Sequence, residues 1–354
     1  MPKPFVSVLI DTYNHERFIE QAITSVLEQS MPMSEVEVIV VDDGSTDRTP
    51  ELVRRFEPRV RLLRKTNGGQ GSAFNAGIPE CNGEIIAFLD GDDWWADRKL
   101  ARVIAEFEAN PGIGTVGHGT IALYDDGREH TEVLKEKARF SLQSIEGARM
   151  FRLRKNFMGT RIAARAALLR CLLPVPEEIR IEADEFVFTM AAALGDVCIL
   201  PEALFFYRIH GANHFSLDAF DDARARRKQQ NLALLAAQLA ARLRAISVRD
   251  DVIRCVIHAV EIEAAQLRLA VEGGYPWETV HTEAAMYRLL HGDASWSHRL
   301  FKYGTLFPAY FLPPRLYYGA RRWLAARSLY LRLRKKILPI PQPKHTVREW
   351  KTGT

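Results

Sequence analysis

Apolar runs of strand length alternate with stretches of helical spacing through the first third of this chain, and that alternation limits the fold more than any other feature. The runs are Val6–Ile10, Val36–Val41, Val60–Leu63, Ile85–Leu89 and Gly114–Leu123. Between them lie Phe18, Ala22, Val26 and Leu27, then Leu52, Val53 and Phe56, then Leu100, Val103, Ile104 and Phe107. Each set is spaced to cover one face of a helix. A strand with one face in water alternates apolar and polar residues. These runs are too continuously apolar for that, so both of their faces need cover. They predict an open, mostly parallel α/β sheet flanked by helices.

In such sheets, ligands sit beyond the carboxyl ends of the strands. Three strands of this chain end there in polar clusters: Asp11-Thr12-Tyr13-Asn14, Asp42-Asp43-Gly44-Ser45 and Asp90-Gly91-Asp92-Asp93. A fourth loop, Asn67-Gly68-Gly69-Gln70-Gly71, follows Val60–Leu63. All four are expected along one edge of the sheet. Three carboxylates within four residues repel one another unless a cation sits among them. Mg²⁺ or Mn²⁺ with a diphosphate answers this, because hard cations take oxygen ligands from carboxylates and phosphates together. A solvated acidic turn is the plain alternative. The strand before the cluster and Trp94-Trp95 after it, which would seat the loop, argue for a site.

The other loops carry weaker signals. Ser45 or Thr46 with Asp47 can cap a helix beginning near Thr49-Pro50. Asp42 and Asp43 are surplus to that cap and could accept hydrogen bonds from a nucleobase and ribose. Asn67-Gly68-Gly69 looks like a phosphate cradle, yet by itself reads more simply as a glycine turn. No complete dinucleotide fingerprint or P-loop occurs. Further along, a helix is expected from about Glu182 to Leu194, followed by short strands at Val197–Leu200 and Leu204–Arg208. Asp184 at that helix start is either a carboxylate stabilised by the helix dipole or a general base. Arg208 and His210 could reach a pyrophosphate. From Asp221 to His291 the pattern is helical, broken near Ser247 and at Gly273-Gly274-Tyr275-Pro276.

Charge is unevenly distributed. Between Ala294 and Arg348 fall twelve Lys or Arg and no Asp or Glu, interleaved with ten aromatic residues. All 44 acidic residues therefore lie elsewhere, and the rest of the chain is net acidic. Such a basic tail on an acidic body suggests an anionic partner. A helix from about Arg315 to Ile337 would place Leu316, Trp323, Leu324, Tyr330 and Leu331 among arginines, a pattern suited to a membrane interface. The same helix could instead pack on the acidic body of the protein. Nucleic acid is not expected, because the acidic body opposes phosphate and no recognition motif is present. The four cysteines show no CxxC spacing, and the N-terminus does not read as a signal peptide. Both features lead to the expectation of a cytoplasmic protein, peripheral on the inner face of the membrane if the tail binds lipid.

Taken in order, the clusters resemble family 2 glycosyltransferases with the GT-A (Rossmann-like) fold. Val8-Leu9-Ile10-Asp11-Thr12-Tyr13-Asn14 looks like the opening strand and nucleotide loop, and Val40 to Asp47 is close to the family's usual wording. Asn67-Gly68-Gly69 with Asn75-Ala76-Gly77 resembles the third element. Phe88-Leu89-Asp90-Gly91-Asp92-Asp93-Trp94 is similar to the DxD metal motif. Asp184, eleven residues before Gly195, resembles the catalytic aspartate, and Leu204 to His210 the segment that closes the catalytic domain. Three positions depart from the pattern: Asp11 replaces a proline, Phe74 a basic residue, and Ala183 breaks a Glu-Asp pair.

The resemblance implies an inverting, metal-dependent transfer from a nucleoside-diphosphate sugar, a UDP-sugar first, to a glycan or lipid-linked acceptor in cell-surface glycan or polysaccharide synthesis. In it Thr12, Asn14, Asp42, Asp43, Asn67, Gly68, Asn75, Asp90, Arg208 and His210 bind the nucleotide-sugar. Asp92 and Asp93 bind Mg²⁺ or Mn²⁺, and Asp184 is the base, with Glu185 its competitor. The expected organisation is a catalytic domain at 1–215, divided near 125 into nucleotide-sugar and acceptor halves, then a helical region at 216–293 and the basic aromatic tail at 294–354. Two other readings stay open: a sugar-nucleotide nucleotidyltransferase, and a non-catalytic nucleotide- or glycan-binding protein at a membrane surface.

Overall fold

The structure is a computed structural model and describes residues 5–209, 221–291 and 296–325. The first four apolar runs become β1 (Val6–Thr12), β2 (Val36–Asp42), β3 (Arg61–Arg64) and β4 (Ile85–Asp90). They pair in the order β3-β2-β1-β4, all parallel. The helices α1 (Ile19–Leu27), α2 (Thr49–Arg54) and α3 (Gln70–Gly77) lie between them in sequence. Continuous apolarity has the expected cause: Val6, Val8, Leu9 and Ile10 are all fully buried, so successive side chains on both faces of β1 are covered.

Beyond β4 the sheet becomes mixed. In sequence come β5 (Trp94–Trp95), α4 (Lys99–Ala109), β6 (Ile113–Tyr124), β7 (Glu129–Glu132), β8 (Ala138–Phe140), α5 (Ile145–Arg154), β9 (Ala163–Arg165), α6 (Ala166–Cys171), α7 (Ala183–Leu194) and β10 (Asp196–Ile209). The sheet continues β4-β9-β6-β10-β5, with β7 beside β6 and β8 beside β10. Strand β6 is parallel to β10, whereas β5, β7, β8 and β9 all join antiparallel. The two short strands expected between Val197 and Arg208 are one long strand. Its register against β6 shifts between Leu200 and Phe205, around Pro201, which has no N–H to give to a ladder.

One core cluster joins the sheet to its helices. Ile19, Ala22, Ile23 and Val26 of α1 and Leu100, Val103, Ile104 and Phe107 of α4 pack with Val8, Ile10, Val40 and Leu89. Each such side chain contributes about 1.5–3 kcal/mol relative to exposure. Phe74 of α3 is buried edge-on to Phe88, ring centroids 5.3 Å apart. That position faces the core in this chain, which explains why no basic residue stands there.

The remaining described helices are α8 (Asp222–Ala245), α9 (Asp250–Glu272), α10 (Trp277–Leu290), α11 (Trp296–Leu306) and α12 (Pro314–Ala325). Their breaks fall where expected, at Ser247 and at Gly273-Gly274, all with positive φ. The chain divides into two compact units between Ala265 and Gln266, inside α9. The second has its own core of Leu269, Val280, Leu306, Ala309, Tyr317 and Tyr318. Of the helix expected to begin at Arg315, the part past Ala325 lies outside the described residues, as does His210. Among the described residues, no helix is long and apolar enough to cross a membrane.

Candidate active site

Strand register places the polar clusters on one edge. Asp11 pairs with Asp90 across β1 and β4, and Thr12 with Asp42 across β1 and β2, so three strands end level. The loops are then laced together. Asn14, at φ 57, accepts a hydrogen bond on its side-chain oxygen from Thr46 N at 2.8 Å, and its own N–H donates to Ser45 Oγ at 2.8 Å. Ser45 thus ties the first loop to the second instead of capping α2. Asp47, one residue before the N-cap Arg48, accepts from Thr49 N at 2.9 Å.

The two carboxylates at the end of β2 do different work. Asp42 is fully buried, and its oxygens accept from Ser45 N at 3.1 Å and Arg64 Nε at 3.1 Å. Both of its oxygens are thus engaged by the frame of the sheet edge. Asp43 accepts from Lys65 Nζ at 2.7 Å, Gly68 N at 3.0 Å and Gly69 N at 2.7 Å. The glycine loop's N–H groups therefore fold onto Asp43, which makes the loop a carboxylate-organised turn instead of an open phosphate cradle. Gly44 at φ +78 allows this, since a Cβ there would lie 2.7 Å from Asn67 N. Asn67 itself is exposed. Asn75 exchanges two hydrogen bonds with the backbone of Val175, at 2.9 and 2.7 Å. It clamps the segment before α7 and does not face the cluster.

At the end of β4, Asp90, Asp92 and Asp93 each offer a carboxylate oxygen within 4.8 Å of the others. Gly91 permits the tight turn between them, because a Cβ would come within 2.6 Å of Thr12 Oγ1 and 2.8 Å of His15 Nδ1. Asp93 Oδ1 accepts from Arg208 N at 2.8 Å, while Oδ2 is buried with no hydrogen-bond partner among the described residues. Burial and then the neighbouring Asp92 and Asp90 hold the Asp93 carboxyl well above the ordinary range. The same causes, burial first and then Asp92, raise Asp90 to about 6. A bound cation would relieve both desolvation and repulsion, and three hard oxygen donors suit Mg²⁺ or Mn²⁺.

The loop is braced from behind. Trp94 stacks on Phe206 at 5.1 Å, and Trp95 N donates to Ser25 Oγ at 3.1 Å. The Arg208 guanidinium lies over Trp94 at 4.5 Å and Phe18 at 4.7 Å, and its Nε donates to the Asp92 carbonyl at 3.1 Å. Arg208 thus stands beside the acidic triad, gripping its backbone.

Asp184, some ninety positions further on, joins this cluster. Its N–H donates to Gln70 Oε1 at 3.3 Å, and Gln70 Nε2 donates to Asp90 Oδ1 at 3.3 Å. Burial, then Asp90 and Glu185, raise the Asp184 carboxyl to about 7. Glu185 points away and is bound by Arg152 at 3.2 Å and Lys155 at 3.4 Å. Asp11, where the resemblance led to expect proline, also faces inward. Burial and then Asp90 hold its carboxyl well above the usual range, with Asp92 and Asp184 adding to the effect.

Four contributors were not singled out from the sequence. Gln70 bridges Asp90 to the Asp184 backbone. Thr160 donates to Asp90 Oδ2 at 2.6 Å. Arg161 offsets part of the repulsion on Asp90, Asp93 and Asp184. His15 accepts or donates at Thr12 Oγ1, 3.2 Å away, and its Nε2 is 3.9 Å from Asp92. Gln70 lies within the glycine loop and His15 directly follows the first polar cluster, but Thr160 and Arg161 sit in a short turn with no motif. Arg161, Thr120, His130, Glu132 and Tyr207 also line a cavity of about 220 Å³.

The open α/β sheet thus carries a carboxylate triad at one strand end, flanked by the Asp42-Asp43 loop. Residues 7–170 match the Glycosyl transferase family 2 profile. It is 33% identical over 219 residues to an uncharacterized glycosyltransferase of Nostoc sp., covering 59% of this chain and 66% of that protein. Against Staphylococcus aureus TarS, a poly(ribitol-phosphate) beta-N-acetylglucosaminyltransferase, it is 27% identical over 215 residues, 57% of this chain but 35% of TarS. The chain thus spans about two thirds or less of these relatives.

Solved structures share the fold. The crystal structure of TarS 1–349 in complex with UDP-GlcNAc aligns with a TM-score of 0.58 at 19% identity, over 90% of this chain and 91% of that one. A mannosyltransferase of Pyrobaculum calidifontis, in complex with GDP-Man and Mn²⁺, aligns at a TM-score of 0.50 and 21% identity, over 87% and 86%. The fold is therefore GT-A, with helices added C-terminally.

Proposed function

We propose that this chain is an inverting glycosyltransferase that moves a sugar from a nucleoside-diphosphate sugar, UDP-linked first of all, to a hydroxyl of a glycan or lipid-linked acceptor. The observation that carries this is that Gln70 ties Asp184 to Asp90 of the acidic triad, in a chain that matches this family's profile. The acceptor oxygen attacks the anomeric carbon as the bond from that carbon to the diphosphate breaks. The electron pair leaves with the diphosphate, and the acceptor proton passes to Asp184. One base and an in-line displacement suffice, unlike the paired carboxylates of glycoside hydrolysis. Asp92 and Asp93, with Asp90 beside them, would hold the divalent cation; bound there, it neutralises charge developing on the departing diphosphate.

Thr12, Asn14, Asp43, Asn67 and Gly68 border the nucleotide side, with Asp43 organising the loop that a nucleotide would meet. Arg208 steadies the triad, and His210, which lies outside the described residues, is proposed from the sequence alone as a contact for the diphosphate. The cavity against Arg161 and Tyr207 is the acceptor side. TarS, a poly(ribitol-phosphate) beta-N-acetylglucosaminyltransferase solved in complex with UDP-GlcNAc, supports a UDP-sugar donor and a polymer acceptor. UDP-, GDP- and dTDP-sugars screened for cation-dependent turnover, with NMR of the anomeric configuration in the product, test this reading. Release of pyrophosphate from nucleoside triphosphates would favour nucleotidyl transfer instead, and retained anomeric configuration would remove inversion.

A further inference from the structure

The second compact unit presents two kinds of apolar side chain. Leu306, Ala309, Tyr317 and Tyr318 are buried in its core. Trp296, Leu300, Phe307, Phe311, Leu312 and Leu316 instead face water, with exposures of 75, 56, 62, 72, 47 and 64%. They are not scattered. Trp296 and Leu300 are four residues apart on α11 and share a face. Phe307 and Phe311 lie against each other with ring centroids 5.0 Å apart. Leu312 follows just before α12, and Leu316 lies in the first turn of that helix. Six exposed large apolar side chains between 296 and 316, with the Phe307–Phe311 pair in contact among them, mark an interaction surface.

Charge says what the ridge meets. Every charged residue from 296 to 325 is basic, and Arg299 and Arg315 are exposed beside the ridge. Of the unit's other acids, Glu283 is buried and bound by Arg321 at 2.9 Å and Gln266 at 2.8 Å, while Glu272 and Glu278 are exposed but lie before α11, outside the 296–325 segment that carries the ridge. A second copy of the chain would bring like charges together. A lipid interface satisfies both features at once: the acyl boundary takes aromatic and aliphatic side chains, and anionic headgroups take guanidinium groups. No described helix is long and apolar enough to span, which suits a surface lying in the interface.

We propose that this ridge seats the protein on an anionic lipid surface, with Phe307, Phe311, Leu312 and Leu316 entering the headgroup boundary and Arg315 among the groups that pair with lipid phosphate. None of the ridge residues is one of those placed in the acidic cluster, so lipid binding and sugar transfer can fail independently.

The test is co-sedimentation of the full chain with phosphatidylcholine vesicles and with vesicles containing phosphatidylglycerol, at low and high salt. Binding should require phosphatidylglycerol and weaken with salt. Phe307→Ser combined with Phe311→Ser should lower the partition coefficient about tenfold or more, and Arg315→Ala about fivefold. The melting temperature should stay at the wild-type value, since these side chains are exposed. Failure to bind phosphatidylglycerol vesicles would overturn the proposal, as would equal binding to neutral vesicles or wild-type binding by the double variant. Sedimentation velocity showing that the double variant turns a dimer into a monomer, without lipid binding, would assign the ridge to a second copy instead.

Discussion

Asp184 provides the sharpest test of the proposed chemistry. Its carboxyl is raised to about 7 because it is buried and shares its surroundings with Asp90 and Glu185. A base must be ionised to take a proton, so activity is present above that value and lost as pH falls through it. Each pH unit below 7 removes about nine tenths of the remaining ionised base, and kcat/KM should fall about a hundredfold between pH 8 and pH 5. The assay is nucleoside diphosphate release, to water or a supplied glycan, with divalent cation titrated to saturation at every pH. Saturation matters because Asp90, raised to about 6, competes for protons when cation is scarce. Asp184→Asn keeps the shape but cannot accept the proton, and should lower kcat by roughly 10²–10⁴ and abolish the acidic limb. Glu185→Gln should keep the limb, because that carboxylate faces Arg152 and Lys155. Asp184→Asn activity within about threefold of wild type, or an unchanged limb, would refute the assignment of the base.

Chelation and Asp92→Ala should each abolish turnover, while calorimetry of Mn²⁺ without nucleotide should show weakened cation binding in the variant. Gly91→Ala places a Cβ 2.6 Å from Thr12 Oγ1; displacing the acidic turn should reduce kcat/KM about a hundredfold with little change in melting temperature. Asp43→Ala leaves Lys65 and two loop N–H groups without their acceptor and should cost about 2–3 kcal/mol in urea unfolding. Phe74→Lys, which puts a charge against Phe88, should cost several kcal/mol and fail to improve nucleotide binding, because the position faces the core.

The legible part of the site was the part made by strand ends. Where a parallel strand stops, the next residues must lie on the carboxyl edge, so Thr12, Asp43, Asp90, Asp92 and Asp93 could be grouped before any contact was known. Side-chain direction was not legible. Asp42 and Asp43 are neighbours of one residue type, yet a strand points successive side chains to opposite faces, and one is buried on Arg64 while the other gathers the glycine loop. Asn75 matched the family pattern but clamps Val175. Thr160 and Arg161 carried no local signal, since what matters about them is their distance to Asp90.

For this chain, periodicity alone determined the parallel half of the sheet and which strand ends carry acid, because burial on both faces demands continuous apolar runs. It also determined where the long helices break, because Gly273 and Gly274 adopt conformations other residues resist. Only tertiary structure decided that β9 and β5 insert antiparallel into the second half, that Gln70 joins Asp184 to Asp90, and that Glu185 faces away. Those outcomes depend on which distant segments pack together, and desolvation and charge at each carboxylate follow from that packing and not from its neighbours in sequence.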